Sequence, residues 1–339
     1  MRPARERTPI VLGEDLPTSL IPPMRRVIWA KKLVKKHLGV DAVSSDKPPR
    51  QGLFSSTLFV RLEDKRNVVV QFRTEPLDVD SYMLARETLG GTVPDILELP
   101  DDELLEEGVW AYCYSQLSGK TLAYNAAAKT ALGRIALNTS LGGIFSRGYI
   151  AENSVDAIED TVRPHIKAVL ASAHPEVEPH RVLLERFLSV LHSLQALPLW
   201  VAHRDLNEMN ILTDDDCYVT GLFGWNHSSP LPLGMGFARI HELAAGPFGG
   251  EGREFENAER AFWREILAGM SPRVRENLDT MRLELQDAVT LGTLLDCFPL
   301  NDGQVVVDTL RLKALPRTLK YRIPTLRGDM PPYDDVLTD

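Results

Sequence analysis

Apolar residues recur at three- and four-residue spacing between Arg25 and Leu38, where Val27, Ala30, Val34 and Leu38 form one stripe. That spacing predicts an amphipathic helix closed by Gly39. Arg25, Arg26, Lys31, Lys32, Lys35 and Lys36 fall mostly off the stripe and give the helix a basic face. Such a face is either solvated or held at a membrane surface. The period then changes to two. QGLFSSTLFVRLEDKRNVVVQFR reads as a strand, a charged turn at Glu63–Asn67 and a second strand at Val68–Arg73. SYMLARETLG reads as a helix ending at Gly90, VPDILEL leads back toward a strand, and Gly108–Gly119 alternates as a further strand.

Beyond Gly119 the spacing is helical. AYNAAAKTALGRIALNTSLGGIF and RVLLERFLSVLHSLQAL predict long helices, followed by short strands at Asn210–Thr213 and Tyr218–Phe223. Asp214, Asp215 and Asp216 read as the turn between those strands. Further helices are predicted over Glu254–Met270 and Val274–Leu295, with an irregular, proline-containing tail from Leu315. The expectation is an α+β chain. A small mixed sheet with one helix (25–117, after an N-terminal arm, 1–24) precedes a larger, mainly helical part (118–339).

Composition narrows this picture only slightly. The chain has 339 residues, 44% of them hydrophobic and 25% charged, which is ordinary globular usage. A formal charge of -9 disfavours nonspecific nucleic-acid binding. Three cysteines, Cys113, Cys217 and Cys297, have neither paired nor metal-binding spacing. No stretch is apolar enough to span a membrane, and the N-terminus lacks the apolar run of a signal peptide, so a soluble, cytoplasmic protein is expected.

The chemistry concentrates in HRDLNEMNIL, His203–Leu212. It resembles the catalytic loop of the aminoglycoside-phosphotransferase and choline-kinase family, written HGDxxxxNIL, with Arg204 at the second position. The likeness extends from GLFSSTLFV near residue 52 to the helices beyond residue 250. A VVQFR-like second strand and the PLPLG run place it with the fungal branch of that family. The resemblance implies a bilobal protein-kinase-like fold, with ATP and Mg²⁺ as cofactors and a hydroxyl or amine of a small molecule as acceptor. Asp205 would be the catalytic base and Asn210 a metal ligand. Gly52, Ser55, Ser56 and Thr57 would form the loop above the phosphates. Gln71 occupies the position of the phosphate-contacting lysine, and Arg73, two residues on, shares its strand face. Arg73 is then either a phosphate contact, partnered by Asp78, Asp80 or Glu87, or a surface cation. Ser115, Gln116 and Leu117 would be the adenine-binding hinge.

The chain departs from the family at GLFGWN, Gly221–Asn226. The family's strand end, GxxDW, supplies the aspartate that bridges magnesium to the phosphates; Gly224 stands there instead. Glycine carries no ligand oxygen, and magnesium is held through one or two carboxylates. Glu208 is the best spare carboxylate; Asn226, His227 and Asp214–Asp216 are weaker substitutes. Two readings stay open: a phosphotransferase with an impaired metal site, or a repurposed kinase fold. The second would be a metal-independent enzyme using Asp205 or a pseudokinase-like metabolite binder, and the fungal likeness associates either with specialised metabolism. A third, minor reading is an adaptor acting through the basic helix. Trp225, His227 and Arg239 are candidates for the acceptor pocket or for packing, and neither substrate nor oligomeric state is legible.

Overall fold

The computed structural model describes residues 20, 22–48, 55–225, 230–245, 253–301 and 303–324. Most of the expected arm, together with Gly52, Asn226 and His227, lies outside the described residues. Two compact units emerge: Met1–Arg86 with Val93–Leu117, and Glu87–Thr92 with Ser118–Asp339.

The first unit opens with helix α1 (Pro23–Leu38), whose chain exit is set by Gly39 at φ 71°. Strands β1 (Ala42–Asp46), β2 (Ser55–Leu62) and β3 (Asn67–Arg73) follow. Helix α2 (Val79–Leu89) comes next, then β4 (Ile96–Glu98), the short α3 (Asp102–Glu106) and β5 (Trp110–Ser115). The sheet order is β1-β2-β3-β5-β4, and each pairing is antiparallel. Alternation divides its two faces. Leu58, Val60, Val68, Val70, Phe72 and Cys113 pack with Ala30, Leu33 and Val34 of α1 in one buried cluster. The other face carries the register pairs Ser55↔Arg73 and Thr57↔Gln71 across β2 and β3. On α1, Lys36 lies 3.2 Å from Asp101 and Lys35 pairs with Asp41, so part of the basic face has local counter-charges.

Among its described residues the second unit contains three small sheets and most of the helices. Strand β6 (Lys120–Thr121) precedes α4 (Ala131–Phe145), β7 (Tyr149–Ala151), a turn of helix α5 (Val155–Ala157), α6 (Arg163–Ala171) and α7 (Arg181–Leu194). Then come β8 (Leu199–Trp200), β9 (Ile211–Thr213), β10 (Val219–Leu222) and β11 (Leu231–Pro232). Helices α8 (Ile240–Ala245), α9 (Arg253–Gly269), α10 (Pro272–Thr280) and α11 (Arg282–Leu295) complete most of it. A hairpin of β12 (Leu300–Asn301) and β13 (Gln304–Val305) leads to α12 (Thr309–Thr318). Helices α4 and α9 approach closely because Gly142 has no side chain: a Cβ there would lie 2.5 Å from the Phe262 carbonyl oxygen. Phe145, Trp225, Phe237, Phe262 and Trp263 meet largely edge to face and form the core under the loop described below.

Two expectations need correction. The helix expected over Val274–Leu295 is broken at Met281 (φ -118°, ψ 36°) into α10 and α11. Asp279 and Thr280 are weak helix formers, and the Thr280 hydroxyl instead caps the Asn277 carbonyl at 2.7 Å. The tail expected to be irregular from Leu315 begins inside α12. Beyond it Tyr321 and Ile323 are buried: the Ile323 amide donates to Gln286 Oε1 at 2.9 Å, and Trp263 Nε1 donates to the Tyr321 hydroxyl at 2.7 Å.

Candidate active site

The second unit's site is built on the segment between β8 and β9. His203 anchors it from below. The ring is 1% exposed and lies 4.5 Å, centroid to centroid, from buried Trp225. Burial lowers its pKa to about 4, although the Phe223 carbonyl opposes that shift. A neutral ring has one donor and one acceptor nitrogen. Nδ1 accepts the Asp205 amide at 3.2 Å, so Nε2 is the nitrogen that donates to the Phe223 carbonyl. The imidazole thereby ties the loop to the end of β10. Its environment suits it to positioning, since burial disfavours the charged form that proton exchange requires.

Asp205 stands on top of this anchor with its side chain 53% exposed. Asn207 Nδ2 donates to its Oδ1 at 3.0 Å, and Asn210 Nδ2 donates to its Oδ2 at 2.9 Å. Both amides also reach the Asp205 carbonyl, at 3.1 and 2.8 Å, so the loop is closed on itself. Arg239 Nη2 lies 3.4 Å from Asp205 Oδ1, and Arg311 Nη2 lies 3.8 Å from the same oxygen. The aspartate is thus oriented by two neutral amides and faced by two guanidinium groups. That arrangement suits an exposed proton acceptor with a fixed direction.

The position expected to hold a metal is different. Asn210 turns its nitrogen edge to Asp205, and the Phe223 amide donates to the Asn210 carbonyl at 2.8 Å. Gly224 sits beside it at φ 76°, and a Cβ there would lie 2.6 Å from Asn210 Nδ2 and 3.1 Å from Oδ1. The glycine therefore meets both a backbone requirement and a close approach. Among the described residues no group of three or more His, Cys, Asp or Glu side chains could hold a metal ion. Asp214, a proposed substitute, caps the β9–β10 turn by accepting the Asp216 and Tyr218 amides at 3.0 and 2.8 Å. Asp215 pairs with Lys120 at 2.6 Å. The donor set does not fit a protein-held magnesium ion: it offers one neutral amide oxygen, and two guanidinium groups flank the nearest carboxylate.

The structure also places residues that the sequence reading did not assign. Asp296, just beyond α11, lies 3.6 Å from Arg239 Nε and 3.7 Å from Arg311 Nη1. Burial pushes its pKa up to about 6 despite Arg239 and Arg204 nearby. The signal available in the sequence was a charge inside an apolar run, LGTLLDCF. Of the acceptor-pocket candidates, Arg239 borders the site and Trp225 belongs to the core.

The first unit gathers most of the residues expected to meet a nucleotide, in an altered setting. Ser55, Ser56 and Thr57, expected in a loop, are the first residues of strand β2, because the ladder to β3 begins at Ser55↔Arg73. Gln71 Nε2 donates to Ser55 Oγ at 3.0 Å and Thr57 Oγ1 at 3.3 Å. Its Oε1 accepts from Arg73 Nη1 and from the Tyr114 hydroxyl, both at 3.2 Å. Ser56 points to the opposite face and accepts from Arg26 at 3.1 Å. Arg73 Nε is buried without a hydrogen-bond partner among the described residues, so this face retains a positive donor that fits an oxyanion. At the end of β5, the Ser115 amide donates to the Asp95 carbonyl at 3.0 Å and the Gln116 amide to the Asn67 carbonyl at 3.3 Å. Leu117 closes the unit.

No protein-family model matches the chain, and no curated protein matches it. Solved structures do. An ethanolamine kinase of Plasmodium vivax aligns over 92% of this chain and 86% of its own, at 10% identity and TM-score 0.50. A thermostable aminoglycoside phosphotransferase APH(4)-Ia, solved with AMP-PNP and hygromycin B, aligns over 85% and 98% at 15% identity and TM-score 0.52. A complex of the same enzyme with ADP and hygromycin B covers 86% and 99% at 14% identity and TM-score 0.51. At such identities the likeness shows the fold, an α+β chain of the kinase-like phosphotransferase type.

Proposed function

We propose that this protein is a small-molecule phosphotransferase of kinase-like fold, acting on a hydroxyl or amine, with a metal site reduced to Asn210. The observation that carries the reading is the fixed, exposed Asp205 carboxylate on a loop tied to β10 through neutral His203. Asp205 accepts the acceptor's proton as its oxygen or nitrogen bonds to the γ-phosphorus, and the bond from phosphorus to the departing ADP oxygen breaks. Arg73, with Gln71, Ser55 and Thr57, would meet nucleotide phosphates through the donor left over on that face. The fold shared with nucleotide-bound phosphotransferases supports this reading. A role in fungal specialised metabolism belongs to the proposal only through the VVQFR and PLPLG likenesses.

Gly224 favours a second reading, in which Asp205 acts as acid or base without nucleotide or metal. The separating experiment is thermal unfolding with ATP, alone and with Mg²⁺ or Mn²⁺, since a ligand that binds the native state raises its stability. A shift with millimolar ATP, together with phosphate transfer lost in Asp205→Asn, is the expected result. No shift under any of these conditions overturns phosphotransfer. An Asp205-dependent reaction that persists in EDTA without nucleotide establishes the second reading.

A further inference from the structure

Four charged side chains alternate in sign behind the loop that carries Asp205. Arg239 Nη2 lies 3.4 Å from Asp205 Oδ1, and Arg239 Nε lies 3.6 Å from Asp296 Oδ2. Arg311 closes the circuit, with Nη1 3.7 Å from Asp296 Oδ2 and Nη2 3.8 Å from Asp205 Oδ1. Asp308, 3.1 Å from Arg311 Nε, and Glu242 add further carboxylates, and Arg204 adds a cation. The cluster therefore has no positive excess to offer a ligand. What bears on Asp205 is the order of its charges.

The two guanidinium groups are held differently. Arg311 is fixed through the backbone: its Nη1 donates to the Asp296 carbonyl at 2.9 Å, and Asp308, which caps α12, accepts the Arg311 amide at 3.1 Å. The Asp308 amide in turn donates to the Cys297 carbonyl at 2.9 Å. Arg239 is 10% exposed, and its Nε and Nη2 are buried without a hydrogen-bond partner among the described residues. On that edge, charge sets its direction. The pull of Asp296 is the less screened, because its side chain is 19% exposed against 53% for Asp205. Without that pull, Arg239 would close on Asp205 to ordinary ion-pair length, about 2.8 Å. Oδ1 already accepts from Asn207, so closure would take up the capacity left on that oxygen.

We propose that Asp296 is a positioning residue for Asp205, acting through Arg239: it holds the guanidinium back and leaves the carboxylate open to an acceptor. This deepens the function proposed above and rests on the placement of Asp205 in that reading. The recess lined by Arg239 and Asp296 has room for about one water, enough for a shift of the guanidinium and too little for a ligand. Burial pushes the pKa of Asp296 up to about 6, so it is mostly ionised at neutral pH and releases Arg239 as the pH falls.

The test uses the full chain and Asp296→Asn, with crystal structures at pH 7.5 and 5. Arg239 Nη2 should close on Asp205 Oδ1 to about 2.8 Å in the variant, and in the unaltered chain at the lower pH, where no substitution risks the fold. The Nε–Hε signal of Arg239, in ¹⁵N-arginine-labelled protein, should titrate with a midpoint near 6. That titration should vanish in Asp296→Asn and persist in Asp308→Asn. The other groups around Asp296, namely Glu242, Asp308, Cys297, His165 and His203, all remain in Asp296→Asn, so the loss assigns it. For any Asp205-dependent reaction, kcat should fall about tenfold or more in Asp296→Asn with KM little changed. An Arg239 that stays in place in both structures, a titration that survives in Asp296→Asn, or an unchanged kcat overturns the inference. ATP-induced thermal stabilisation is scored separately. Its absence removes phosphotransfer and leaves the Arg239 movement to be read, whereas ATP-dependent transfer with an unmoving Arg239 removes this inference alone.

Discussion

Arg73 and Arg239 are two guanidinium groups, each with buried nitrogen that no described residue satisfies, yet their settings differ. Arg73 lies on a strand face whose acceptor is a neutral amide, Gln71 Oε1, itself shared with Tyr114 and backed by Ser55 and Thr57. Arg239 lies between two carboxylates, Asp205 and Asp296, that balance its charge at 3.4 and 3.6 Å, longer than a well-formed hydrogen bond. The neutral network fixes geometry and leaves a positive donor over. The charged cluster balances charge and leaves geometry open.

The largest expected effect tests whether the charged cluster is chemically active. Asp205→Asn should lower turnover of any Asp205-dependent reaction by about 10²–10⁴-fold, the usual contribution of a positioned base. Its stability should change little because the side chain is half exposed; steady-state rates and urea midpoints measured together check both halves. Removing the buried cation comes next. Arg239→Ala should cost about 3 kcal/mol by urea denaturation, because it removes the buried guanidinium between Asp205 and Asp296 and leaves Arg311, 3.7 Å away, as the ion-pair partner of Asp296. Arg73→Ala, in the neutral network, should cost less than about 1 kcal/mol. Equal losses would erase the distinction between the two settings.

Gly224→Asp should cost about 1–2 kcal/mol, because its φ of 76° disfavours a side chain and the new Cβ meets Asn210. It should yield no magnesium-dependent ATPase, which a coupled ADP assay reads. The smallest effect is on acid stability. Asp296 is raised to about 6, so the folded chain holds its proton more tightly than the unfolded chain, and this group's stabilisation is lost as pH rises toward 6. His203 is lowered to about 4, so its contribution has the opposite slope: stability rises as pH increases from about 4 toward the ordinary histidine range. The two slopes oppose each other over much the same window. In Asp296→Asn only the histidine slope remains, and urea stability should climb more steeply across that window than in the unaltered chain.

Much of the fold was legible because hydrophobic period is a local property. The first helix, the β2–β3 hairpin and the two strands around Asp214–Asp216 follow from spacing and turn residues alone. The break at Met281 and the buried tail were not legible. Each depends on partners far away in sequence, such as Gln286 accepting the Ile323 amide. At the site, Asp205 and Asn210 stand out because one short loop spaces them. Asp296 and Arg311 lie about a hundred residues downstream, and only tertiary structure brings them to Asp205. Gly224 was legible as a departure from the motif the loop resembles; that its position adjoins the Asn210 amide was not.

That contact couples two positions. An aspartate at position 224 would press on the Asn210 side chain that now orients Asp205, so a change at one position limits what the other can hold. Placing a carboxylate there therefore calls for a compensating change at Asn210 as well.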